Sequence, residues 1–368
     1  MSPSRGPASA RPTLEVLEPG HPGVEAIWRG LERESEPRYF LSWGWISTWL
    51  TCLARAEAPR LAVLSLDGRP VGAGFLCRRR VVRHGALPVR ALFLNTTGSP
   101  RWDDLTLEHN GIVGPWASGL TLSALVSALP DGWDELHLPA LSADAFPGNA
   151  LGEPLERHVV RVDRRAPAPF VDLEKVRKAE GGYLSLLGTS TRAQVRRAVR
   201  GFPDLRREVA AGVEEALEMY AELVALHART WQARGQAGAF ADPWIDSFHR
   251  RLIADRFPHG EIQLLRLRSR GATVGCLYNL VAYGRVLFYQ SGLAPIDDPR
   301  LKAGYVCHAE AILHNAAAGH AVYDLLAGGG QYKLSLATDA AELVWARIQR
   351  PLLRFAVEER LRAFRRGR

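Results

Sequence analysis

The sequence predicts a mixed α/β protein, an α+β mixed sheet built from two tandem copies of one unit. Three observations carry that expectation. Length is the first: 368 residues exceed what one ordinary core organises, and two domains follow. The second is a pair of related hairpins, DGRPVGAGFL at 67–76 and RGATVGCLYN at 270–279, each with a turn glycine three residues before a Val-Gly pair. The third is their common sequel: a strand ending near Gly98 or Gly292, then a helix and a short strand, DELHLPAL or AVYDLL.

In chain order, residues 14–17 (LEVL) predict a first strand and Val24–Glu34 a helix. In FLSWGWISTWL, Ser42 suits an N-cap, and Trp45 and Trp49 fall one helical turn apart as core anchors or a pocket wall. β pattern begins at Arg60 with RLAVLSL, turns at Asp67-Gly68, and continues to ALFLNTTG. After Gly98, the polar residues Asp103, Asp104, Glu108, His109 and Asn110 read as a solvated turn, with an acceptor-recognition loop as the alternative. A helix is expected over about 119–129.

Pro- and Gly-rich composition loosens the chain before residue 170, which is where the copies divide. The expected organisation is a disordered leader 1–12, a first unit 13–170, a second unit 171–350 and a basic tail 351–368. TRAQVRRAVR then gives a basic helix on which Arg192, Arg196 and Arg200 form one stripe, a solvated face or a phosphate-binding edge. The helix from Val213 turns Leu217, Tyr220, Val224, Ala228 and Trp231 inward, with His227 near that face as a hydrogen-bonded structural histidine. After the hairpin, Val306, Ala309, Leu313 and Ala316 mark a helix from Lys302 that Gly319 ends. The strand AVYDLL carries one acid, Asp324, which is costly to bury without a partner; Tyr332 and Lys333 close the glycine loop behind it.

Composition limits the partners. A net charge of +8, from 47 basic against 39 acidic residues, suits a polyanion, but an arginine-rich composition alone is weak evidence for nucleic acid. Cys52, Cys77, Cys276 and Cys307 show no metal-ligand spacing and no disulfide framework, so a reducing cytoplasm and no metal are expected. No run approaches the roughly 20 apolar residues that span a bilayer.

The elements TRAQVRRAVR, LHARTWQARG, FHRRL and VYDLLAGGGQYK resemble the acetyltransferase family named after the cellulose-biosynthesis protein CelD or BcsL. That family belongs to the GNAT superfamily and is close to the Fem-type peptidyltransferases, which also use two GNAT units. The resemblance implies acyl transfer from acyl-CoA, such as acetyl-CoA, to an amine of a sugar, amino acid or small metabolite. It implies a donor site at the helix N-terminus formed by Lys302, Ala303, Gly304 and Tyr305. Of the superfamily's phosphate loop only Gly304 is kept, Leu301 standing at the basic position.

Acyl transfer needs a free amine, a home for the oxyanion and a proton for the leaving group. Asp324 is the candidate to orient or deprotonate the amine, with Lys333 and Tyr332 at the carbonyl. Tyr289, Gln290, Arg196 and Trp231 are the substrate-binding candidates; a buried Asp324–Lys333 salt bridge is the competing structural role. A Fem-like ligase using aminoacyl-tRNA and a non-catalytic GNAT scaffold in polysaccharide biosynthesis are the alternative functions. Acceptor, acyl chain and oligomeric state are left open.

Overall fold

A computed structural model describes residues 12–84, 86–105, 107–115, 122–142, 155, 157–296, 298, 300–328 and 330–366. The expected leader lies outside these except for its last residue.

The first copy runs β1 (Thr13–Leu17), α1 (Gly23–Ser35), α2 (Trp43–Cys52), β2 (Arg60–Leu66), β3 (Arg69–Arg83), β4 (Leu87–Leu94), a short α3 (Pro100–Asp103), α4 (Leu122–Ala128) and β5 (Glu135–Ser142). β6 (Val159–Asp172), α5 (Leu173–Lys178) and α6 (Thr189–Gly201) connect the copies. The second repeats the plan with β7 (Arg206–Val209), α7 (Val213–Gln232), α8 (Pro243–Arg256), β8 (Ile262–Ser269), β9 (Ala272–Ala282), β10 (Arg285–Leu293), α9 (Ala303–Ala317) and β11 (Val322–Asp324). α10 (Gln331–Leu336), β12 (Asp339–Gln349) and α11 (Leu353–Arg366) close the chain.

Local chemistry explains the turns. Asp67-Gly68, Arg270-Gly271 and Tyr283-Gly284 have positive φ at both residues, the mirror-image turn whose twist matches two-residue hairpins. Ser42 caps α2 by accepting from the Trp45 N–H, and Trp45 and Trp49 are buried.

Among the described residues twelve strands form one sheet, ordered β1-β2-β3-β4-β5-β12-β6-β11-β10-β9-β8-β7. This order reads as a mirrored repeat: the strand following each copy crosses to the other, β6 onto β11 and β12 onto β5, and the two pair with each other at the centre. Residue 170 falls inside β6, so the loose composition before it hides a long strand. β11 pairs with β6 only at Phe170–Asp172, and just beyond it the Pro169 carbonyl accepts from the Leu325 N–H (3.0 Å), so Pro167 and Pro169 stand where the ladder with β11 ends and a missing N–H costs little.

One core, between α1, α2, α7 and α8, draws on both copies and takes Leu287 and Leu326. The other face of the second copy packs under α5, α6 and α9 and takes Val286, Phe288 and Tyr323. Alternation across the strand therefore points Asp324 toward the first core.

Candidate active site

Each copy has one parallel pair, and each pair lasts three residues. β4 and β5 pair from Ala91–Glu135 to Phe93–His137, and β10 and β11 from Arg285–Val322 to Leu287–Asp324. Beyond these points the strands fork.

In the first copy the chain fills its own fork. Asn110 N–H donates to Ala140 O on the β5 side (2.9 Å) and its side chain to Leu94 O on the β4 side (3.1 Å), while Val113 exchanges backbone bonds with Ala73 of β3. Asn95 completes the seam by donating to Asn110 Oδ1 and Gly111 O. Glu108, His109 and Asn110 are consequently buried, which corrects their reading as a solvated turn; Asp104 is exposed. Asp103 bonds within its own loop, to Thr97 and Gly98.

In the second copy the fork opens into a cleft of about 520 Å³. One wall is Gln290, Ser291 and Leu293 of β10, the opposite wall is the start of α9 with Lys302, Ala303, Gly304 and Tyr305, and Trp231 and Arg234 stand at the α7 side. The register with β9 slips between Phe288 and Gln290, making Tyr289 the extra residue of a bulge. α9 is 15 residues long and no side chain caps its N-terminus, so its first N–H groups and dipole favour an anion there. Lys302 adds a cation, its Nζ donating to Gln194 Oε1 (2.6 Å) and lying 5.2 Å from the Tyr305 ring. An uncapped terminus with an adjacent ammonium, opening on a partly apolar cleft, fits a donor that joins a phosphate-rich head to a thin acyl arm.

Deeper in, His308 reaches the cleft from the second turn of α9. Its Nδ1 lies 3.2 Å from the Tyr323 hydroxyl and its ring stacks on Tyr332 at 5.7 Å. Burial, with the Lys333 charge behind it, pushes the imidazole down to about 3, so it is neutral at physiological pH. Burial also pushes the Tyr332 hydroxyl up to about 12, which keeps it a proton donor. His227 is a structural histidine: Nε2 accepts from the Ala239 N–H (3.3 Å), which leaves the proton on Nδ1 to donate to Ser291 O (3.1 Å).

The sequence candidates thus divide. Lys302, Ala303, Gly304, Tyr305, Gln290, Trp231 and Tyr332 line one cleft. Tyr289 does not; its hydroxyl meets His249 Nε2 (3.1 Å) in the aromatic core beside Trp45. Arg196 is exposed on α6 outside the cleft lining, and Arg192 is spent on the Leu187 carbonyl (2.9 Å).

Asp324 and Lys333 lie beside the fork, not on the cleft wall, and do not pair with each other. Lys333 Nζ donates to the carbonyls of Ala327 (2.8 Å) and Leu326 (3.3 Å). Asp324 Oδ1 accepts from the Leu326 N–H (2.8 Å), and Oδ2 lies 3.0 Å from His109 Nε2. Burial pulls this carboxyl upward, but His109 and the Leu326 N–H outweigh it and hold it below the usual carboxylate range. Glu108 Oε2 accepts from the Ala327 N–H (2.5 Å), so the plug of the first copy also clamps the loop after β11.

Sequence reasoning missed His308, Thr230 and Arg234. His308 carried one usable signal, its position four residues beyond Gly304 on the same helix face. Among the described residues there is no cluster of three or more His, Cys, Asp or Glu able to hold a metal, and no helix is long and apolar enough to cross a membrane.

Residues 189–334 match the sequence model of the acetyltransferase (GNAT) domain, which marks the chain as an acyltransferase. No curated protein sequence matches the chain. Among solved structures, FemX aligns with a TM-score of 0.60 at 11% identity, covering 90% of this chain and 96% of that one. L-PGS from Bacillus licheniformis aligns at 0.51 and 11%, covering 92% and 95%. A protein of unknown function from Bacteroides thetaiotaomicron VPI-5482 aligns at 0.53 and 12%, covering 88% and 97%. At such identities these likenesses speak for the fold.

Proposed function

We propose that the chain is a cytoplasmic N-acyltransferase that moves an acyl group from acyl-CoA to an amine of a sugar, amino acid or small metabolite by direct attack. The observation that carries this reading is the fork of β10 and β11, with an uncapped 15-residue helix starting on its rim. The N–H groups of Ala303 and Gly304, with Lys302, hold the pyrophosphate; Gln290, Leu293 and Trp231 line the acyl arm. Tyr332 keeps its proton and donates it toward the sulfur or oxyanion as charge develops. Lys333 and Asp324 hold the loop after β11 in the shape that brings Tyr332 to the cleft.

Chemistry belongs to the second unit, 171–350, because the first unit's fork is filled by its own residues 107–114. Four free thiols, three of them buried, accord with a reducing compartment.

Thermal unfolding with and without acetyl-CoA is the test. A ligand held at 100 times its Kd stabilises by about 2.7 kcal/mol, so a clear rise in midpoint is expected. No rise at millimolar acetyl-CoA, together with none for longer acyl-CoAs, would remove the donor assignment.

A further inference from the structure

His308 lines the donor cleft and has no part in the contacts assigned so far. It stands one turn along α9 from Gly304 and reaches the closed end of the fork. Its ring meets that of Phe288 at right angles, centroids 4.4 Å apart, and Phe288 directly follows Leu287, the last β10 residue paired with β11. It also stacks on Tyr332 at 5.7 Å. Gly304, Leu293, Gln290, His308 and Tyr332 all border the same space. A donor arm that starts at the helix N-terminus and follows β10 inward therefore ends its acyl group at these last two side chains.

Hydrogen-bond accounting fixes the tautomer. Tyr323 is fully buried, and its hydroxyl has one partner among the described residues, His308 Nδ1 at 3.2 Å. A proton on Nδ1 would leave the tyrosine O–H a buried donor without an acceptor, a costly arrangement. Tyr323 thus donates to Nδ1, and the imidazole proton stands on Nε2. Nε2 has no partner among the described residues and is not one of the sealed polar atoms, so its N–H opens on the cleft although the side chain is only 2% exposed. Burial and the Lys333 charge keep a second proton off the ring, which makes the group a neutral donor.

We propose that His308 is a catalytic residue whose Nε2–H donates to the thioester carbonyl oxygen and to the oxyanion that forms on it, with Tyr323 as its positioning residue. The proposal deepens the acyl-CoA reading and rests on it. A donor fixed in advance binds the oxyanion more strongly than the ground-state carbonyl, so it acts on rate more than on affinity. In the step, the amine lone pair forms the C–N bond while the C=O π pair moves onto oxygen, where Nε2–H holds it without giving up its proton. As the carbonyl re-forms, the C–S pair leaves with sulfur, which takes the Tyr332 proton. The surplus amine proton restores Tyr332, and amide and free thiol are the products.

The test uses the full chain and acetyl-CoA labelled with carbon-13 at the thioester carbonyl, read by infrared difference spectroscopy, and needs no acceptor. Binding to wild type should move the carbonyl stretch to lower wavenumber. His308→Phe, which keeps a ring against Tyr332, should lose most of that displacement while acetyl-CoA still raises its unfolding midpoint. His308→Gln, whose amide can donate, should keep part of it, and serves if the phenylalanine variant fails to fold. A nitrogen-15 spectrum, with His308 assigned by difference from His308→Gln, should show the Nε2–H tautomer in wild type and a mixture of tautomers in Tyr323→Phe. An undisplaced carbonyl band in the wild-type complex, an equal displacement in His308→Phe, or a wild-type proton on Nδ1 overturns the proposal. Absent protection by acetyl-CoA in wild type instead overturns the donor assignment.

Discussion

Gly292 stands where β10 passes beneath α7, and substituting it offers the sharpest test of how the cleft is held open. Its φ is not in the left-handed region, so the demand for glycine is one of space. A methyl group there would lie 2.8 Å from the Leu223 Cα and 2.9 Å from its carbonyl carbon, and nearer still to its oxygen. All three are backbone atoms of a 20-residue helix, which cannot yield as a side-chain tip would. Overpacking of this kind costs about 1–3 kcal/mol. The neighbours of Gly292 are functional: Ser291 receives the His227 bond, and Gln290, Ser291 and Leu293 line the cleft. Pushing β10 away from α7 should therefore cost stability and donor affinity together. Expected for Gly292→Ala are a lower urea midpoint, corresponding to about 2 kcal/mol, and an acetyl-CoA affinity down about tenfold, the equivalent of 1.4 kcal/mol. Gly20→Ala, where nothing lies within 4 Å, is the control and should stay within about 0.5 kcal/mol. Equal midpoints for Gly292→Ala and wild type would refute the claim that the close approach sets the cleft wall.

Other outcomes follow from the same contacts. Burial holds His308 and His249 at about 3, below the 6.5 of an exposed imidazole, so the unfolded chain binds protons first as pH falls. Stability should then drop from pH 6.5 toward 3 by about 1.4 kcal/mol per pH unit per histidine, and His308→Gln should remove its share of that slope in urea titrations. Asp324 is held low, so its contribution is present above pH 3.8 and fades as pH falls through its folded value. Asp324→Asn should cost about 1–3 kcal/mol at pH 7, with the gap to wild type narrowing near pH 3. Lys302→Ala should raise the acetyl-CoA KM severalfold and Arg196→Ala should leave it unchanged; the reverse order in a steady-state assay would move the phosphate site to α6. Tyr332→Phe should lower kcat about tenfold or more at constant KM, a split that stopped-flow thiol release would read.

Much of the fold was legible because its punctuation is chemical. Asp67-Gly68, Arg270-Gly271 and Tyr283-Gly284 announce hairpins, and the two Val-Gly strands announce the duplication. The helix starting at Lys302 was legible as well, since the three- and four-residue spacing of Val306, Ala309, Leu313 and Ala316 is a local feature. β6 was not, because the tolerance for Pro167 and Pro169 depends on how little of the strand β11 covers, a tertiary fact. Nor was the plug: Glu108, His109 and Asn110 look like a solvated turn until their partners, from Leu94 to Ala327, are known. For Asp324 and Lys333 sequence proximity suggested a mutual pair, whereas backbone carbonyls and a histidine more than 200 residues away supply the actual partners.

The exchange of β6 and β12 between the copies has a bearing on synthesis. A nascent chain that has released only the first copy exposes the edge of β5, whose neighbour in the finished sheet is β12. Sealing that edge waits on residues 339–349, so the ribosome must deliver nearly the whole chain before either half is complete. Halves made separately would each present an open strand edge, and mixing them should restore a soluble complex where either alone aggregates.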